Sequence, residues 1–191
     1  MIKEKIVNIP NALSFYRIVV FPLMVFYVIA GNERLFAIFL CINLITDVLD
    51  GFIARTFGLV TKFGARLDSL ADIGTYILAF LGVVIFKAED LALHGLIFYL
   101  FTFLFILDFI IHFYRFRIFS SFHLYSFKIT GYLQGILFFL WFFVKFYPAY
   151  YYFSMGFGIL AELEALSIMM IINERRSDVK GLYWVLKAKN G

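Results

Sequence analysis

The chain has 191 residues, of which 63% are apolar and 16% charged; 21% are aromatic and the net charge is +4. Mean hydropathy is +0.92, whereas a soluble domain carries about 45–50% apolar and about 25% charged residues and a small one leaves much of its surface exposed. This composition excludes a soluble enzyme, a disordered chain and a disulfide scaffold, and predicts an all-α integral membrane protein forming a single domain over 1–191.

Taken in order, Ile2–Leu13 reads as a short interfacial helix carrying Lys3 and Lys5, with Pro10 suited to a helix start. Arg17 interrupts the apolar run that follows, and no small-residue cleavage site is present, so the segment is not expected to be a cleaved signal peptide. A transmembrane helix needs about 20 mostly apolar residues. Six stretches meet this: Phe15–Ala30, Leu35–Phe52, Leu67–Phe86, Leu91–Phe113, Ile129–Phe146 and Ala149–Ile172. Pro22 is expected to kink the first. Short connectors at Gly31–Arg34, Lys87–Asp90 and Tyr147–Pro148 predict sequential antiparallel neighbours. The tail, 173–191, is polar and cytoplasmic in this reading, with Tyr183, Trp184 and Leu186 as a surface anchor. Cys41 lies in an apolar run and reads as a packing residue.

Six spans put both termini on one side of the membrane. That side collects fourteen of the 17 Lys and Arg residues, leaving Arg34, Lys87 and Lys145 for the other. Basic residues in short loops mark the cytoplasmic face, so both termini are predicted to be cytoplasmic. The positive charge suits anionic headgroups, and no nucleic acid need be invoked.

Carboxylates within a membrane are costly and point to function. Four crowd one segment: Asp47, Asp50, Asp68 and Asp72. Spacings of three and four place each pair on one helix face, and the intervening loop brings both pairs to one depth. Four carboxylates converging in a low-dielectric pocket repel one another unless protonated or bridged by a cation. Hard oxygen donors at this density suit magnesium, manganese or calcium. Gly51, Ala54 and Gly64 let a flat ligand or a neighbouring backbone approach, and Arg55 can neutralise a phosphate. The plainer alternative is an interfacial ion-pair cluster with Arg55, Lys62 and Arg66.

Written out, the segment is Asp47-x2-Asp50-Gly51-x2-Ala54-Arg55-x8-Gly64-x3-Asp68-x3-Asp72. It resembles the signature of the CDP-alcohol phosphotransferases, membrane enzymes of phospholipid synthesis, at all eight fixed positions. The opening stretch Asn8-Ile-Pro-Asn11-Ala-Leu-Ser-x-x-Arg17 also resembles the start of that family's phosphatidylglycerophosphate synthases. The resemblance implies that an acceptor hydroxyl attacks the β-phosphorus of a CDP-linked lipid and that CMP leaves. It further implies that Asp47, Asp50, Asp68 and Asp72 hold two divalent cations, Mg2+ or Mn2+, with Asp72 also the general base. Gly51, Ala54 and Gly64 would line the cytidine pocket, Arg55 would hold the CDP phosphates, and the protein would be a homodimer.

The acceptor is less legible. Glycerol 3-phosphate is favoured over serine, inositol or its phosphate, and another lipid. Arg115, Arg117 and Lys128 form a candidate pocket for a phosphorylated acceptor, although positive-inside anchoring explains the same residues. The run Asp68-Ser69-Leu70-Ala71-Asp72 is equally similar to phosphatidylserine synthases. Asp108 is a further carboxylate within an apolar span, and Glu162 and Glu164, two apart, cannot share a helix face. His94, His112 and His123 show no ligand spacing. Buried acids also occur in ion transporters, but these cluster at one depth and line no route across the membrane.

Overall fold

The computed structural model describes residues 7–116, 124–172 and 179–190. Seven helices occur among them: α1 (Ile9–Ile29), α2 (Glu33–Thr56), α3 (Lys62–Phe86), α4 (Ala88–Phe116), α5 (Tyr125–Phe143), α6 (Pro148–Ile171) and α7 (Leu182–Asn190). The first six are long and apolar enough to cross a membrane, so the chain is an all-α integral membrane protein. The helices fall into two compact units, Met1–Ala88 and Glu89–Gly191.

In the first unit α1 packs against both α2 and α3. Its inward stripe runs Pro10, Asn11, Ser14, Arg17, Val20, Met24 and Val28, at spacings of three and four. The expected interfacial helix is not a separate element among the described residues, since Asn8 caps α1 by accepting from the Asn11 N–H at 2.9 Å and the helix continues to Ile29. Residues 2–6 of that expected helix lie outside the described ones.

Glycine sets both turns of this unit. Gly31 (φ 68°) ends α1 and Gly58 (φ 63°) follows α2, a left-handed conformation that glycine adopts without a Cβ clash. The Asn32 N–H then returns to the Tyr27 carbonyl and the Leu59 N–H to the Ala54 carbonyl, both at 2.9 Å, satisfying carbonyls at the helix ends. Thr61 starts α3 by accepting from the Gly64 N–H. At the opposite end of the unit, Lys87 donates to Glu33 at 2.6 Å.

Gly82 of α3 abuts Phe36 of α2. A Cβ there would lie 2.2 Å from the phenyl ring, which is fully buried and has nowhere to go. Gly82→Ala is expected to cost about 1–3 kcal/mol of stability by overpacking, read as a lower Tm of the detergent-solubilised protein; an unchanged Tm would show that the ring yields freely.

The second unit packs α5 on α6 and α6 on α7. Gly158 of α6 leaves room for the Phe101 ring of α4. Buried Tyr151 donates to the His94 carbonyl at 3.0 Å, and Trp141 donates from its indole to Asp90 at 2.6 Å. Polar side chains need such partners where no water competes. Part of the tail, expected to be polar with a surface anchor, folds as α7. Val179 and Val185 insert beside Leu124, Ala165, Ile168 and Met169, while Tyr183, Trp184 and Leu186 stay exposed.

Candidate functional site

The four aspartates converge within the first unit. Asp47 and Asp50 lie on the last turns of α2, and Asp68 and Asp72 on the first turns of α3. The turn through Gly58 reverses the chain and brings the pairs level. One carboxylate oxygen from each of Asp47, Asp50 and Asp68 lies within 4.8 Å of the others.

Their ion-pair partner is Arg17 of α1. Its Nη1 donates to Asp47 at 2.8 Å and to Asp72 at 2.7 Å, and its Nη2 donates to Asp50 and to Asp68, each at 2.6 Å. The Arg17 side chain is 1% exposed and that of Asp50 5%, against 40–42% for the other three aspartates. Asp50 also accepts from the Ser14 hydroxyl at 3.1 Å. Arg55, Lys62 and Arg66, the cations of the interfacial alternative, are exposed. If all ionise, four carboxylates against one guanidinium leave three negative charges in excess. An all-oxygen donor set with that excess fits divalent cations.

The small residues serve neighbours within the protein. A Cβ on Gly64 would lie 2.2 Å from the Asn11 side-chain oxygen, so Gly64 admits Asn11 of α1. At Gly51 a Cβ would approach the Arg55 guanidinium at 3.2 Å, so Arg55 lies over Gly51 beside the cluster. Ala54 is half-buried, and its carbonyl closes the end of α2. Asn8 reaches the Leu59 carbonyl and Asn11 the Thr61 hydroxyl, both at 3.4 Å. The start of α1 is thus pinned to the α2–α3 turn.

Arg17 is a site residue that the sequence pattern alone does not assign. The pattern marks it only as a cytoplasmic cation and as part of the opening stretch. The usable signal is a polar stripe at 11, 14 and 17 in an otherwise apolar span, since an intramembrane arginine needs a partner.

In the second unit, exposed Arg115 donates to the Ile172 carbonyl at 2.7 Å, at the end of α6. Lys128 is exposed and lies over the Tyr125 ring. Arg117 lies outside the described residues. Glu162 and Glu164 face differently, as their spacing requires. Glu162 is buried, as is Asp108. Glu164 accepts from the Leu182 N–H at 2.8 Å and from Ser126 at 2.5 Å, tying α7 to α5 and α6.

A membrane-embedded cluster of four aspartates, arranged on two helices in the order the signature demands, agrees with comparison by sequence. The chain belongs to the CDP-alcohol phosphatidyltransferase family, whose profile matches residues 7–172. Over 68 residues it is 43% identical to the CDP-diacylglycerol--glycerol-3-phosphate 3-phosphatidyltransferase of Salmonella typhimurium (strain LT2), covering 34% of this chain and 37% of that one. The proteins of the same name from Rickettsia prowazekii and Escherichia coli K12 are 40% and 38% identical over 68 residues, covering 34% of this chain and 38% and 37% of theirs. The chain thus spans little more than a third of the length of the curated relatives it matches. No solved structure matches it.

Proposed function

We propose that the chain transfers a phosphatidyl group from CDP-diacylglycerol to glycerol 3-phosphate and releases CMP, as a single catalytic module over 1–191. The observation that carries this is the convergence of Asp47, Asp50, Asp68 and Asp72 around Arg17 at the paired ends of α2 and α3. The name that these relatives carry supports glycerol 3-phosphate as acceptor.

In this reading Asp47, Asp50, Asp68 and Asp72 hold two divalent cations, Mg2+ or Mn2+. Bound there, the cations supply positive charge to the diphosphate and help to activate the hydroxyl. Asp72 takes the acceptor's proton, and its 40% exposure leaves it open to an incoming hydroxyl. The acceptor oxygen forms a bond to the β-phosphorus as the bond from that phosphorus to the bridging oxygen breaks, and CMP departs with that oxygen. Arg55, exposed beside Gly51, holds the CDP phosphates. Gly51 and Ala54 keep bulk away from the cytidine, while Gly64, read from the sequence as part of that pocket, admits Asn11. The sequence offers Arg115, Arg117 and Lys128 as candidates for the acceptor phosphate.

The lipid tails stay in the bilayer while the polar groups enter from water. The basic bias of the loops supports a cytoplasmic site and cytoplasmic termini. The functional unit is taken as a homodimer on family resemblance.

An acceptor panel tests the assignment. Purified chain, labelled CDP-diacylglycerol and Mg2+ are incubated with glycerol 3-phosphate, serine, inositol or inositol phosphate. Label is expected in phosphatidylglycerophosphate. A product with another acceptor and none with glycerol 3-phosphate would keep the chemistry and overturn the substrate.

A further inference from the structure

Arg17 stands outside the eight-residue signature yet contacts every aspartate in it. Each terminal nitrogen bridges one carboxylate of α2 to one of α3: Nη1 joins Asp47 to Asp72, and Nη2 joins Asp50 to Asp68. A guanidinium stays charged at any accessible pH and presents its donors as a rigid fork. It therefore lies where four like charges would otherwise face one another. The oxygens it engages belong to the carboxylates that a divalent cation would also draw on.

We propose that Arg17 is the resident counter-cation of the aspartate cluster, a positioning residue that holds the carboxylates of α2 and α3 together and competes with divalent cations for them. This rests on the reading of the aspartates as metal ligands. Charge counting gives the competition a consequence. Four carboxylates and Arg17 leave three negative charges. A first divalent cation leaves one negative charge, and a second leaves one positive charge around the buried Arg17 and Asp50 side chains. The second cation is therefore held well only when an anion accompanies it, and the diphosphate of the CDP substrate is such an anion. Without Arg17, two divalent cations would balance the four carboxylates by themselves. Arg17 thus couples metal loading to arrival of the nucleotide, and linkage makes that coupling reciprocal.

The test uses the full chain in detergent as wild type, Arg17→Gln, Arg17→Lys and Asp50→Ala. Mn2+ binding is titrated by electron paramagnetic resonance with and without CDP as a soluble probe, and thermal unfolding is followed with and without Mn2+. Arg17→Gln is expected to unfold at a lower temperature without metal and to gain more from Mn2+ than wild type does. It should bind Mn2+ about tenfold more tightly or better, since a cation beside the site is gone. CDP should strengthen Mn2+ binding more in wild type than in Arg17→Gln. Arg17→Lys keeps the charge without the fork and should fall between the two. If Arg17→Gln does not fold without metal, Arg17→Lys carries the comparison, and tighter Mn2+ binding than wild type supports the proposal. Binding by Arg17→Gln, or in that event by Arg17→Lys, no tighter than wild type overturns it. Equal Mn2+ binding by wild type and Asp50→Ala would instead overturn the metal-ligand reading beneath it.

Discussion

An Asp72→Asn protein is expected to lose about 10²–10⁴-fold in kcat, the usual cost of removing a general base. The amide keeps the size of the side chain and an oxygen that can accept from Arg17, but it cannot take a proton. Asp72 is one of four Arg17 partners, and its side chain is 40% exposed, so the fold should tolerate the change. CDP-diacylglycerol binding in the presence of metal should weaken far less than turnover. Stopped-flow or single-turnover measurement of CMP formation at saturating acceptor separates the two. A near-native kcat would move the base to another carboxylate.

The second large effect belongs to Asp50. Its side chain is 5% exposed and accepts from both Arg17 and Ser14. Asp50→Ala is expected to lose Mn2+ affinity by more than the roughly 10–100-fold that loss of a ligand's hydrogen-bond partner costs. Turnover should fall with it, and the rise in Tm on adding Mn2+ should vanish. Removing one partner of a buried ion pair is itself destabilising, but Arg17 keeps three other carboxylates, so the protein should still fold. A full Mn2+-dependent rise in Tm in Asp50→Ala would remove Asp50 from the ligand set.

These two aspartates are legible from the amino-acid sequence because carboxylates at helical spacing stand out in apolar spans. The six spans are legible for a similar reason: their apolar runs are continuous and the turns between them short. The start of α1 is not. The sequence predicts a separate surface helix up to Leu13, with Arg17 in the span that follows, and gives no partner for Asn11, Ser14 or Arg17. Their partners lie inside the protein, on α2, α3 and the turn between them, and no local pattern names a partner 30 or more residues away. Likewise, Gly64 reads as room for a ligand or a neighbouring backbone, and the sequence does not say that Asn11 of α1 is the neighbour. Glu164 follows the same logic in the second unit. Its offset from Glu162 is predictable from helix periodicity, but its bonds to Leu182 and Ser126 depend on how α7 packs.

The proposed chemistry depends above all on the four aspartates forming a metal-dependent phosphatidyl-transfer centre. CMP release from CDP-diacylglycerol by the purified chain, with glycerol 3-phosphate present, tests this most directly. CMP is predicted to form with Mg2+ or Mn2+, to stop on addition of EDTA and to resume when the cation is restored in excess. CMP release at full rate in EDTA would contradict the metal centre, and no CMP with any acceptor in the panel would contradict the reaction itself.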